Sequence, residues 1–268
     1  MKAYEKLQLA RSQNRPTSRA YIEALFTERT ELHGDRKYAD DAAVIGGIGM
    51  LEQIPVTFIG IERGRNLEER IRCNFGCPMP EGYRKALRLM KQAEKFRRPI
   101  LCFVDTSGAF CGEEAEERGQ GQAIADNLMQ MMALETPVIT IVIGEGGSGG
   151  ALGLSVANKV YMMENAVFSV ISPEGCASIL WEDAKLAPDA AQALHITAGD
   201  MLSFGVAEEM IREDFRHFGK MCERLKEKLL SDLKGWEQKT GKELSLERYQ
   251  RFRRLGYWIE EGNKTQTP

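Results

Sequence analysis

The sequence predicts an α/β domain with helical extensions at both ends, on three observations. The middle of the chain alternates short apolar runs with amphipathic stretches, the pattern of strands and helices that share one sheet. Two of those apolar runs end in glycine-rich loops, which suit a chain passing from a buried strand into a helix. The composition is globular: of 268 residues, 43% are hydrophobic and 28% charged, which excludes wholesale disorder. One domain accounts for this length, with its core expected over residues 34–214, a helical lead over 1–33 and a helical extension over 215–268.

The elements follow in order. Tyr21, Ile22, Leu25 and Phe26 have helical spacing, and Gly34-Asp35-Arg36 reads as a turn. Residues 43–50 and 55–61 are β-rich and read as a hairpin. Residues 63–79 mix Gly, Asn, Pro and charges and read as a functional loop or short helix. Tyr83, Ala86, Leu87, Met90 and Ala93 mark an amphipathic helix over 81–96. A buried strand over 99–104, a Met-rich helix over 114–134 and a second buried strand over 137–143 come next. A short helix of small residues (151–157) precedes strands at 159–163 and 167–171. Helical segments surround Ile179 and Ala190, and 206–211 reads as a last strand. Phe215, Phe218, Met221, Leu225 and Leu229 define a charged amphipathic helix over 215–236 that can dock on this chain or another, and the last 30 residues read as peripheral.

Charge and cysteine content exclude several function classes. Thirty-six basic and 39 acidic residues give a net charge of -3, which opposes a general polyanion-binding surface. Six cysteines are too sparse for a disulfide scaffold, and Cys73-x3-Cys77 has no second pair at ligand spacing, so no metal is expected on this chain. No apolar run approaches a membrane span, and the opening residues have no apolar leader, so a cytoplasmic protein is expected. The basic stretch Arg63, Arg65, Arg70, Arg72, Arg84, Lys85 and Arg88 reads either as a phosphate-facing rim or as a solvated face balanced by Glu62, Glu68, Glu69 and Glu81.

The most informative stretch is GEGGSGG at 144–150, which follows a buried strand and opens a helix. Glycines let peptide N–H groups approach a ligand, and a helix start adds unpaired donors, so the loop suits an anion or a developing oxyanion. Three readings fit it. Gly144, Gly146 and Gly149 satisfy the dinucleotide pattern G-x-G-x-x-G, with Glu164 downstream. Ser148 sits in G-x-S-x-G, a nucleophile elbow needing Asp183 or Asp189 with His195; this would make the chain a serine acyl hydrolase. Gly149 and Gly150 would alternatively supply an oxyanion hole with no side-chain nucleophile. A second loop, 105–112 (DTSGAFCG), also ends a buried strand, so the two loops are expected to converge, and Ser172-Pro173 is expected to start a helix.

Longer strings carry a resemblance. Gly34-Asp35-Arg36 with Tyr38-Ala39-Asp40-Asp41, PEGYRKALRLM (80–90), AEERGQ (115–120), the stretch 144–151 and ISPEGCASILW (171–181) occur in this order. Over residues 7–214 the chain resembles the family of carboxyltransferase alpha subunits of bacterial multisubunit acetyl-CoA carboxylase. The resemblance implies a crotonase-like (ClpP/crotonase) fold of ββα units. It implies a beta-subunit partner of similar fold in an α2β2 heterotetramer, with the CoA site and a four-cysteine zinc ribbon mostly on that partner. It implies carboxyl transfer from carboxybiotin, on a biotin carboxyl carrier protein loaded by a biotin carboxylase, to acetyl-CoA. The product is malonyl-CoA, the first committed step of fatty acid biosynthesis. Gly149 and Gly150 match the family's oxyanion hole on the biotin side, while Gly146, Gly147, Gly108, Ala109, Phe110 and Gly175 are expected to contact substrate. A related subunit acting on another acyl-CoA, including a decarboxylase subunit, shares most of these features.

The chain departs from the family in the second loop, where Ser107, Phe110 and Cys111 stand in place of Pro, Tyr and Pro. That makes the wall more flexible and removes a hydroxyl. Many members also carry an extra N-terminal helical segment; starting near the shared region is expected to weaken assembly rather than chemistry.

Overall fold

Alternating apolar residues, with a tight turn at Glu52-Gln53, fold the first β-rich stretch into an antiparallel hairpin. In the computed structural model, which describes residues 1–256, strands β2 (Val44–Leu51) and β3 (Ile54–Ile61) pair in full register from Val44↔Ile61 to Leu51↔Ile54. Two short helices, α1 (Ala3–Ala10) and α2 (Ser18–Leu25), precede them, as does strand β1 (Thr27–Glu31). β1 lies antiparallel at the sheet edge, so the expected helical lead is not all helix. Its sequence, TERTE, is polar and exposed, without the apolar alternation that marks a strand.

After the one-and-a-half-turn α3 (Leu67–Arg72), α4 (Pro80–Lys95) starts with proline in its first turn. It buries Tyr83, Ala86, Leu89, Met90 and Ala93. Leu89 rather than Leu87 faces the sheet, so the apolar stripe is rotated slightly from the expected one. β4 (Ile100–Thr106) is buried along its whole length, as befits a central parallel strand.

The expected single helix after β4 is two: α5 (Glu113–Glu117) and α6 (Gln120–Ala133), broken at Gly119 in the left-handed region (φ 79°). β5 (Val138–Gly147) runs four residues beyond its apolar segment, through the glycines, before α7 (Ser148–Leu152). The remaining elements are β6 (Lys159–Met163), β7 (Val167–Ser169), α8 (Pro173–Trp181), α9 (Ala187–Ala193), α10 (Ala198–Ser203), β8 (Glu209–Ile211), α11 (Phe218–Trp236) and α12 (Gly241–Arg253).

The eight described strands form one mixed sheet, seven of them in the order β1-β2-β3-β4-β5-β6-β8 and the eighth, β7, off this path beside β5. The first two pairings are antiparallel and the rest parallel. β6, β7 and α8 follow one another as a ββα unit, and β2, β3 and α4 make a second one with the short α3 inserted before its helix. β5 pairs first with β6 and then, over Glu145 to Gly147, with β7, so its end changes partner on that side.

α11 docks on this chain: Tyr21 meets Phe218 edge-on at 5.1 Å, and Met221, Leu225 and Leu229 are buried. The C-terminal stretch is less peripheral than expected. α12 buries Leu244 and the whole side chain of Arg248; residues 257–268 lie outside the described part.

Candidate active site

β4 and β5 are parallel, so their C-terminal ends open on the same edge of the sheet. There the register slips. Val104 is opposite Val142 but Thr106 is opposite Gly146, so β5 bulges by two residues. The Asp105 carboxylate occupies the bulge, where Oδ1 accepts the Glu145 N–H at 2.9 Å. A Cβ on residue 144 would lie 2.3 Å from that oxygen, so only glycine fits.

The two loops converge as expected. A Cβ on Gly147 would lie 2.1 Å from the Ser107 carbonyl oxygen, and one on Gly150 2.4 Å from the Ala109 nitrogen. These glycines are therefore required by the neighbouring loop, whose backbone rests on them. That loop is held by Thr106, whose hydroxyl donates to the Gly108 carbonyl at 2.7 Å and accepts the Gly108 N–H at 3.0 Å.

Gly149 differs. A Cβ there would meet nothing closer than Ile124 Cγ2 at 3.9 Å, and its φ is ordinary. No atom of the described chain requires this glycine. It lies in the first turn of α7, where N–H groups have no intrahelical acceptor. The Gly149 carbonyl accepts the Gly153 N–H at 3.0 Å, which polarises the peptide carrying the Gly150 N–H. The buried Tyr83 hydroxyl donates to the Gly150 carbonyl at 3.0 Å.

Beside this turn, Gly146, Gly147 and Ser148 line a cavity of about 240 Å³, closed by Ser107, Ile171 and Leu7. The structure thus brings together Gly146, Gly147, Gly149, Gly150, Gly108 and Ala109. Phe110 and Gly175 are engaged locally. The Phe110 N–H donates to the Pro78 carbonyl at 3.0 Å and its ring folds over Gly112. The Gly175 N–H donates to the Ser172 hydroxyl at 3.1 Å, capping α8 as Ser172-Pro173 predicts.

Behind the glycines lies a cluster of charges. Glu145 Oε1 accepts Arg11 Nη2 at 2.7 Å and Nε at 3.1 Å, and Oε2 accepts Arg63 Nη2 at 3.2 Å. Arg63 Nη1 reaches Asp105 Oδ1 at 3.1 Å, and Arg11 Nη1 reaches Glu174 Oε1 at 2.7 Å. Arg15 Nε donates to the Ile143 carbonyl at 2.5 Å and pairs with Glu213. Burial raises the Asp105 carboxyl above its usual range, with Arg63 opposing. Burial lowers the Arg63 guanidinium, but Asp105 and Glu145 outweigh it and hold it above its ordinary value. Sequence reasoning passed over Arg11, Arg15, Glu145 and Tyr83 as site residues. Glu145 had a signal, a charge between glycines at a strand end, whereas Arg11 and Arg15 had none.

Two readings of the glycine loop fail on geometry. Gly144 and Gly146 are strand residues packed on Asp105 and Phe168 rather than a phosphate-binding turn, and α7 is only five residues long. Ser148 has elbow-like backbone (φ 52°), but His195 sits 3.4 Å from Asp200 and edge-on to Phe204. His33 and His217 pair with Asp40 and Asp214. No histidine hydrogen-bonds to Ser148 among the described residues.

The basic stretch is mostly spent internally: Arg63 in the charge cluster, Arg84 on Asp35 at 2.7 Å, and Lys85, buried, on Asp40 at 2.5 Å. Cys73 and Cys77 diverge, the first to the Ala42 carbonyl and the second to Ser107.

A sequence profile described as acetyl co-enzyme A carboxylase carboxyltransferase-like matches residues 1–256. The chain belongs to the acetyl-CoA carboxylase carboxyltransferase family. It is 53% identical over 256 residues to the acetyl-coenzyme A carboxylase carboxyl transferase subunit alpha of Ruminiclostridium cellulolyticum, covering 96% of this chain and 98% of that one. The subunit of the same name from Clostridium perfringens is 53% identical over 260 residues, covering 94% and 95%. In Natranaerobius thermophilus a protein named for subunits beta/alpha is 51% identical over 264 residues, covering 97% of this chain and 44% of that one.

Among solved structures, a transcarboxylase 12S superposes with a TM-score of 0.69 at 18% identity, over 85% of this chain and 42% of that one. A Pseudomonas malonate decarboxylase hetero-dimer gives 0.60 at 15%, over 82% and 86%. The carboxyltransferase family thus supplies the frame for the site: the fold is crotonase-like, the chain is an enzyme, and the glycine loop lies at the sheet edge where β4 and β5 end. No described helix is long and apolar enough to cross a membrane.

Proposed function

We propose that this chain, as one carboxyltransferase domain, is the alpha-type half of a carboxyltransferase that moves a carboxyl group from carboxybiotin to acetyl-CoA, giving malonyl-CoA for fatty acid synthesis in the cytoplasm. The observation that carries the reading is Gly149. It is a glycine in a first helical turn, next to a second peptide donor, with no atom of the described residues needing the missing side chain. Such a position suits an incoming substrate oxygen.

In this reading the N–H groups of Gly149 and Gly150 would hold the ureido oxygen of biotin, where negative charge would develop as the carboxyl group leaves. Backbone donors fixed by the Gly153 and Tyr83 hydrogen bonds need no reorganisation as that charge grows. The biotin anion left by loss of carbon dioxide would accept a proton from the acetyl-CoA methyl group, and the resulting enolate would take up the carbon dioxide. Gly146, Gly147, Gly108 and Ala109 shape the surrounding wall, with Phe110 and Gly175 further along it. CoA engages mainly through a beta-type partner in an α2β2 assembly, and the biotin carboxyl carrier protein and the biotin carboxylase complete the larger complex. The relative named for both subunits supports that pairing.

The test is Gly149→Ala, assayed as malonyl-CoA-dependent carboxylation of a free biotin derivative by the complex with the beta-type partner. The added methyl group fits this chain, so stability is expected to hold or rise by about 0.4–1 kcal/mol. Displacing the substrate oxygen from its donors is expected to cost about 10²-fold in kcat. Wild-type turnover by a stably folded variant would refute the role. Gly150→Ala does not separate the cases, because its methyl group would strike the Ala109 nitrogen.

A further inference from the structure

We infer that Glu145 is a positioning residue: clamped between Arg11 and Arg63, its carboxylate sets the exit angle of the bulged strand that presents Ser148, Gly149 and Gly150. The inference rests on the carboxyl-transfer reading of the site. A bulge re-aims the residues beyond it, and this one lies immediately before the catalytic turn. Left to itself, a strand end made of Gly144, Gly146 and Gly147 has few side chains to fix its direction.

Ile143 and Glu145 of the bulge are instead held from different elements. Arg15 takes the Ile143 carbonyl at 2.5 Å, Asp105 takes the Glu145 N–H at 2.9 Å, and Arg63 joins the Asp105 and Glu145 carboxylates at 3.1 and 3.2 Å. Arg11 closes the cluster from the N-terminal helix. It holds Glu145 through two nitrogens and Glu174, in the first turn of α8, through Nη1. Among the described residues Glu145 is therefore the one carboxylate shared by the two arginines, and it links α1, α8 and the Arg63 loop to the strand that carries the glycines. The Glu145 side chain is 7% exposed, so solvent does not replace a lost partner. Arg11 is one-third exposed, so a small cation has access to its place.

The experiment uses the complex with the beta-type partner and follows carboxyl transfer from malonyl-CoA to a free biotin derivative. Glu145→Gln and Arg11→Ala are expected to lower kcat at least 10-fold, with the KM for malonyl-CoA within 3-fold and the complex assembling normally. Arg11→Lys, which keeps one of the bonds, is expected to recover part of the loss. Adding guanidinium at millimolar concentration to Arg11→Ala is expected to raise kcat several-fold while leaving wild type unchanged. A purely packing role would not produce that rescue.

Wild-type kcat in both Glu145→Gln and Arg11→Ala overturns the inference. So does a loss of kcat in Arg11→Ala that neither lysine nor guanidinium restores. A wild-type complex that transfers no carboxyl group fails the underlying reading itself, which separates the two failures.

Discussion

The Tyr83 hydroxyl donates to the carbonyl oxygen of Gly150 at 3.0 Å, tying the first turn of α4 to the glycine turn that also packs on the 107–109 loop. The tyrosine is fully buried, and burial pushes its phenol well above the ordinary range, so it stays a donor at any working pH. Tyr83→Phe keeps the ring that packs on Gly153 but leaves a buried carbonyl unpaired. The expected cost is about 1–3 kcal/mol, read as a lower urea midpoint, together with a loss of transfer activity. A variant as stable and active as wild type would show that the bond fixes nothing.

Ser148 separates the two enzyme readings directly. It is exposed, sits at φ 52°, and hydrogen-bonds to no histidine. Ser148→Gly removes a left-handed side-chain penalty and is expected to raise stability by roughly 1 kcal/mol. Carboxyl transfer by the complex is expected to continue in Ser148→Gly and Ser148→Ala within a few-fold. Hydrolysis of simple esters by the wild-type chain alone, lost in Ser148→Ala, would reverse the assignment.

Much of this was legible in the sequence because each signal was local. The hairpin, α4, the buried runs of β4 and β5, and the Ser172-Pro173 helix start all follow from periodicity or capping chemistry within a few residues. What escaped is non-local. β5 continues through its glycines because Asp105 and β7 hold them, and the apolar pattern stops earlier. β1 pairs through its backbone with no buried side chain to announce it. The glycine loop was recognisable, and Gly149 and Gly150 stood out in it as a pair of candidate donors, but nothing in the sequence told the two apart. Only the neighbouring loop shows that 147 and 150 are spoken for by packing while 149 is open. Arg11, more than 130 residues from Glu145, left no trace in any window.

Asp40 and Asp41 are adjacent and titrate in opposite directions. Burial raises the Asp41 carboxyl to about 6, against the N–H groups of Ala43 and Met79. Burial also raises Asp40, but the Lys85 ammonium and the Gly34 N–H outweigh it and hold it at about 2. An acid raised on folding contributes stability that is complete below its unfolded pKa, near 4, and lost as pH climbs through the folded value. For Asp41 that loss is about 3 kcal/mol between pH 4 and 7. Asp40 has the reverse sign: its contribution is present above pH 4 and disappears toward pH 2. Urea melts of wild type and Asp41→Asn across pH 4–7 check this. The wild-type advantage is expected to shrink as pH rises, and a constant difference would refute it.

Arg248 shows how a distant helix supports the strand that carries the glycines. Its guanidinium is wholly buried and donates to the carbonyls of Met131 at 2.9 Å, Leu134 at 2.7 Å and Thr136 at 2.8 Å, and to Asn158 Oδ1 at 2.6 Å. Asn158 in turn accepts the Val138 N–H at 3.1 Å and donates to the Leu244 carbonyl at 2.9 Å, so α12 grips the first residue of β5. Burial lowers the guanidinium to about 10, still charged at neutral pH. Arg248→Met keeps the volume but leaves several buried acceptors without donors, each worth about 1–3 kcal/mol and less than additive. The expected loss is at least about 3 kcal/mol by urea melt, with faster amide exchange at residues 134–140. Arg248→Lys is expected to recover only part of it, because one ammonium cannot span acceptors that a planar fork reaches together. Melting within about 0.5 kcal/mol of wild type in Arg248→Met would mean that the C-terminal helix is dispensable to the strand that carries the glycines.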